Sequence, residues 1–68
     1  MPQPAPITVM IVDDHAMVRD GLRAVLDMLD DLRVVAEAGN GAEARAQAAA
    51  HQPDVILIDT ESPSRDTL

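Results

Sequence analysis

Residues 7–14 read ITVMIVDD, and the fold depends on how that stretch is understood. Ile7, Val9 and Ile11 alternate with Thr8, Met10 and Val12, so both faces of an extended chain are apolar or β-branched. A strand wetted on one side alternates apolar with polar residues. One that is apolar on both sides is covered on both, as in a parallel sheet flanked by helices. The run ends on Asp13 and Asp14, two adjacent carboxylates at a strand exit.

On the C-terminal side, Val18, Leu22, Val25, Leu26 and Leu29 recur at intervals of three and four, predicting an amphipathic helix from about Ala16 to Asp30. Arg19, Asp20, Arg23 and Asp27 are left outward. Gly21 inside this helix costs roughly 1 kcal/mol relative to Ala, which suggests close packing or a small kink. Residues 33–38, RVVAEA, predict a second strand, and GNG at 39–41 predicts a turn that tolerates positive φ. AEARAQAAAH at 42–51 is strongly helix-forming and is stopped by Pro53. VILI at 55–58 closes the series as a third strand and delivers Asp59 to its exit. On the N-terminal side, prolines at 2, 4 and 6 predict a disordered leader over residues 1–6. Residues 7–68 then form one α/β unit, strand-helix-strand-helix-strand, with right-handed crossovers.

Composition narrows the function. The 68 residues include no aromatic residue and no Cys, so the core is thin and no disulfide or thiolate metal site supports it. Cytoplasmic residence is the expectation. Twelve acidic against five basic residues give a net charge of −7, which opposes direct binding to nucleic acid or anionic membranes. The apolar runs VMIV and VILI are far too short to span a bilayer.

Ligands of open α/β sheets bind beyond the carboxyl ends of the strands, where strand order reverses. With spatial order 2-1-3, Asp13 and Asp14 after the first strand converge with Asp59 after the third. Three gathered carboxylates call for a divalent cation, and Mg²⁺, which prefers oxygen ligands, is the best match. Asp59 is then the candidate nucleophile toward a phosphoryl group, with the acidic pair holding the metal. The competing reading makes Asp13 or Asp14 a helix N-cap only. His15 is a ligand, a general base or a partly exposed first-turn residue, and His51 complements the dipole of the second helix. GNG lacks the glycine spacing of a nucleotide loop. Met10, Met17 and Met28 read as packing residues. Ser62 and Ser64 offer hydroxyls and Arg65 an anion contact.

VMIVDDHAMVRDGLRAVL resembles the opening of response-regulator receiver domains of the nitrate-response and LuxR-type class, and VVAEAGNGAEARAQAAAHQPDVILID resembles their continuation through the third strand. The resemblance covers residues 7–68 and implies a flavodoxin-like receiver fold. It makes Asp59 similar to the phosphorylated aspartate and Asp13 and Asp14 similar to the metal-binding pair. The backbone carbonyl of Glu61 is implied as a further Mg²⁺ ligand, and a sensor histidine kinase as the phosphodonor. The ending SPSRDT keeps Pro63 and Asp66 but has Ser62 and Thr67 where receivers of this kind carry Met and Gly. It is more similar to antiterminators whose receivers precede an RNA-binding ANTAR module, whereas the opening implies a DNA-binding output domain. A full receiver has five strands and a Lys on the fifth; the chain has no Lys, which implies the N-terminal half of a receiver.

The leading reading is therefore a phosphoacceptor segment with no independent enzymatic turnover. The main alternative is a half-receiver that binds or dimerises through the open edge of the third strand without phosphotransfer. A metal-dependent phosphate-ester hydrolase is a third class, for which no general acid is visible.

Overall fold

A computed structural model describes residues 5–59 of the chain. Five elements follow in order: β1 (Ile7–Val12), α1 (Ala16–Asp27), β2 (Leu32–Ala38), α2 (Gly41–His51) and β3 (Val55–Ile58). The strands form one sheet in the order β2-β1-β3, and both pairings are parallel. The expected element order and the 2-1-3 sheet are thus present. Two right-handed crossovers running in opposite directions place α1 and α2 on opposite faces of such a sheet.

β1 is central, and its middle explains why: Val9, Met10 and Ile11 are buried, Met10 and Ile11 completely. Against them lie Val34, Ala36 and Ala38 of β2, which complete the buried apolar core among the described residues. The β1–β2 register runs from Ile7 opposite Leu32 to Val12 opposite Ala38 and shifts between Val9 and Met10, leaving Val35 as the extra residue of a bulge. On the other side, Val9 to Val12 pair with Val55 to Ile58.

Several sequence expectations need correction. α1 stops at Asp27, because the amides of Met28 and Leu29 donate to the carbonyls three residues back, of Val25 and Leu26, and tighten the chain out of the α-helix. Of its predicted apolar face only Leu22 and Leu26 are half-buried; Val18, Val25 and Leu29 are exposed, and so are Met17 and Met28, which do not pack. Gly21 faces open space, so neither close packing nor contact explains it. Arg19 does not point outward but turns toward the sheet. GNG is not a positive-φ turn. Asn40 is extended and caps α2, its side chain accepting the Glu43 amide at 2.9 Å while the Glu43 carboxylate accepts the Gly39 amide at 2.7 Å. Among the described residues the one positive φ belongs to Gln52, the left-handed residue that closes α2 before Pro53. Ala5 and Pro6 are exposed and precede regular structure; residues 1–4 of the expected leader lie outside the described residues.

Candidate functional site

Parallel pairing brings the exits of β1 and β3 to the same edge of the sheet. The Asp13 amide donates to the Ala38 carbonyl of β2 at 3.0 Å, and the Asp59 amide donates to the Val12 carbonyl of β1 at 3.1 Å. Each acid is therefore positioned by the strand beside its own. The backbone pairing thus sets Asp13 and Asp59 at neighbouring strand exits, and the Asp59 side chain is among the influences that lower the Asp13 pKa. Of the three acids expected to converge, Asp13 and Asp59 stand at neighbouring strand exits, while the ligand atoms that gather closely are those of Asp13, Asp14 and His15.

Asp13 is the one buried polar residue among those described, at 4% exposure. Its Oδ1 accepts the His15 backbone N–H at 2.7 Å, which is the main reason its pKa lies below the ordinary carboxylate value. Burial opposes that shift, while the hydrogen bond with Asp59 and the His15 ring support it. Asp14 is exposed, and its Oδ1 lies 2.8 Å from His15 Nδ1, the same nitrogen that stands 3.1 Å from Asp13 Oδ1. Ligand atoms of Asp13, Asp14 and His15 thus gather within 4.8 Å of one another.

Neither acid serves as a helix cap. His15 is the N-cap of α1 and makes no side-chain cap bond, and the amide that Asp13 accepts precedes the helix. The two carboxylates of this group, one buried and one exposed, are the hard oxygen donors that Mg²⁺ prefers, so Asp13 and Asp14 could hold such an ion, with His15 beside them. Glu61, whose carbonyl the resemblance adds, lies outside the described residues, as do Ser62, Pro63, Ser64, Arg65, Asp66 and Thr67. His51 stands in the last turn of α2, as its dipole reading requires.

The supporting residues were not legible as such. Arg19 of α1 donates from Nη1 to the Asp13 carbonyl and places Nε 3.5 Å from Glu37 Oε1 in β2, while Arg23 Nη1 donates to Glu37 Oε2 at 2.7 Å. This arginine pair joins the loop that carries the acids to the neighbouring strand. Gly39 leaves it room, since a Cβ there would stand 3.2 Å from Arg19 Nη1. Spacing along the chain gives no sign that Arg19 and Glu37 meet; only the β1–α1–β2 crossover brings them together.

Comparison with known proteins agrees with this geometry. The family model described as response regulator receiver domain matches residues 9–67. The nitrate/nitrite response regulator protein NarL of Escherichia coli K12 is 38% identical over 63 residues, covering 93% of this chain and 29% of that protein. NarP of the same organism is 49% identical over 59 residues, covering 87% and 27%, and the oxygen regulatory protein NreC of Staphylococcus carnosus 44% over 55, covering 81% and 25%. The chain therefore spans under a third of the length of these relatives. A chain of the solved complex between the P1 domain of CheA3 and CheY6 from R. sphaeroides superposes with a TM-score of 0.77 at 48% identity, over 93% of this chain and 50% of that one.

Proposed function

The chain belongs to the response regulator receiver domain family, and on that premise we propose that Asp59 accepts a phosphoryl group from the phosphohistidine of a sensor histidine kinase. The observation that carries the proposal is the placement of Asp59 and buried Asp13 at the neighbouring exits of β3 and β1. In the transfer, an Asp59 carboxylate oxygen forms a bond to phosphorus as the phosphorus–nitrogen bond to the donor imidazole breaks. The imidazole leaves with the bonding pair and takes a proton from solvent. Mg²⁺, when bound, offsets the negative charge that would otherwise keep an anionic phosphoryl group from a carboxylate. Asp13 and Asp14 would hold that cation together with a carboxylate oxygen of Asp59, whose strand lies at the edge of the sheet. Arg19, through the Asp13 carbonyl, keeps the acidic loop against β2.

On this reading the segment is a phosphoacceptor without turnover of its own, cytoplasmic, and part of the receiver of a transcriptional regulator. No helix among the described residues is long and apolar enough to cross a membrane. That the solved neighbour is a complex of two proteins, the P1 domain of CheA3 and CheY6, supports a protein phosphodonor.

Incubation with acetyl phosphate and Mg²⁺, followed by intact mass, tests the proposal. One phosphoryl group is gained by the wild-type chain and none by Asp59→Asn; absence of any gain refutes the acceptor role. A second reading, a module that self-associates through β3, is favoured by the exposure of all four β3 side chains and by the strand's place at the sheet edge. Light scattering decides it, since a folded monomer at high concentration excludes self-association.

A further inference from the structure

β3 sets where Asp59 stands, yet little in β3 itself sets where the strand lies. Its sequence is VILI, all four side chains are exposed, and it pairs with β1 along one edge. Register is strongly specified only where one face is buried, because a one-residue slip then moves the apolar set into water. Here a slip still sets apolar side chains against most of the same β1 positions, and neither face loses a buried contact. Each residue of slip moves the strand exit by about 3.3 Å, enough to part Asp59 from Asp13.

A polar pin stands at the opposite end of the pairing. Asp54 Oδ2 accepts the Thr8 backbone N–H at 2.9 Å and the Thr8 hydroxyl at 3.0 Å. The Asp54 amide reaches the Thr8 hydroxyl oxygen at 2.9 Å and the Thr8 carbonyl at 3.0 Å. These reciprocal bonds form in one register only, since any slip takes a side chain that both donates and accepts away from its partner. The pin also precedes the ladder in which Val9 meets Val55 and Val12 meets Ile58.

We propose that the Thr8–Asp54 pair is a positioning pair, locking the β1–β3 register from the far end of the sheet and so setting Asp59 at the strand exit beside Asp13. The consequence for phosphoryl uptake rests on the acceptor role of Asp59; the register itself does not. The test uses the isotope-labelled chain and its variants Thr8→Val, Asp54→Ala and Thr8→Ser, followed by NMR cross-strand contacts and by acetyl phosphate uptake with Mg²⁺. Thr8→Val and Asp54→Ala lose the Val12–Ile58 contact while keeping the β1–β2 contact of Val9 with Val34, and uptake slows about a hundredfold, as expected for a misplaced reacting group. Thr8→Ser, which retains the hydroxyl, restores both. Retention of the Val12–Ile58 contact in both disabling variants overturns the proposal. So does loss of the Val9–Val34 contact alongside it, which would mark the pair as general support of the sheet, and so does lost register with unchanged uptake. If the wild-type chain takes up no phosphoryl group while Thr8→Val loses only the β1–β3 contact, the pin stands and the acceptor role fails.

Discussion

β1 and β3 are close to the same peptide. Val9–Val12 reads VMIV and Val55–Ile58 reads VILI, each ends on an Asp, and the two lie side by side in register. Yet Met10 and Ile11 are completely buried, whereas the four residues of β3 are 38–58% exposed. Local sequence made both into strands, and position in the sheet made one of them the core. The central strand is lined on two edges and packed against α1; among the described residues the edge strand's main partner is β1.

The sharpest way to break the contrast is to truncate both strands. Ile11→Ala is expected to cost about 2–5 kcal/mol, a large part of what so small a domain possesses. Urea unfolding would show a collapsed midpoint or no folded baseline. Gly21→Ala acts in the opposite direction: with open space around its Cβ, it stabilises by about 1 kcal/mol through helix propensity, read as a raised midpoint. Leu57→Ala, at a position 38% exposed, costs less than about 1 kcal/mol in the same assay; a loss equal to that of Ile11→Ala would show that β3 is covered in solution. The smallest effect is in pH dependence. Asp54 is held below the ordinary carboxylate value, chiefly by the Thr8 backbone N–H and then by its hydroxyl. Its contribution is therefore present above that ordinary value, about 3.9, and is lost as pH falls through the lower folded value. Asp54→Asn flattens the acid limb of stability against pH and leaves the neutral region's slope unchanged.

Much of this was legible because it is local. Two-sided apolar runs predicted strands, the crossovers predicted a parallel 2-1-3 sheet, and that sheet sets Asp13 and Asp59 at exits on the same edge. The errors share one cause. Val18, Val25 and Leu29 were expected to be covered from their helical spacing, but spacing states which residues share a face and not whether anything lies against it. Spacing likewise puts Arg19 on the outward face, while its partners Asp13 and Glu37 reach it only through the fold. Glycine's freedom suggests a turn at GNG, whereas Asn40 caps α2 by accepting the Glu43 amide and Glu43 accepts the Gly39 amide just before the helix.

By itself, the sequence determined the kinds and order of elements, the strand exits that carry carboxylates, and the charge that calls for a cation. Backbone propensity, hydrophobic period and charge act over a few residues and need no partner to be read. Tertiary structure alone decided which apolar strand is buried, that Arg19 braces the acidic loop, and that Thr8 and Asp54 hold Asp59 to its place. Burial, pairing and register are properties of two segments together, and neither segment contains them alone.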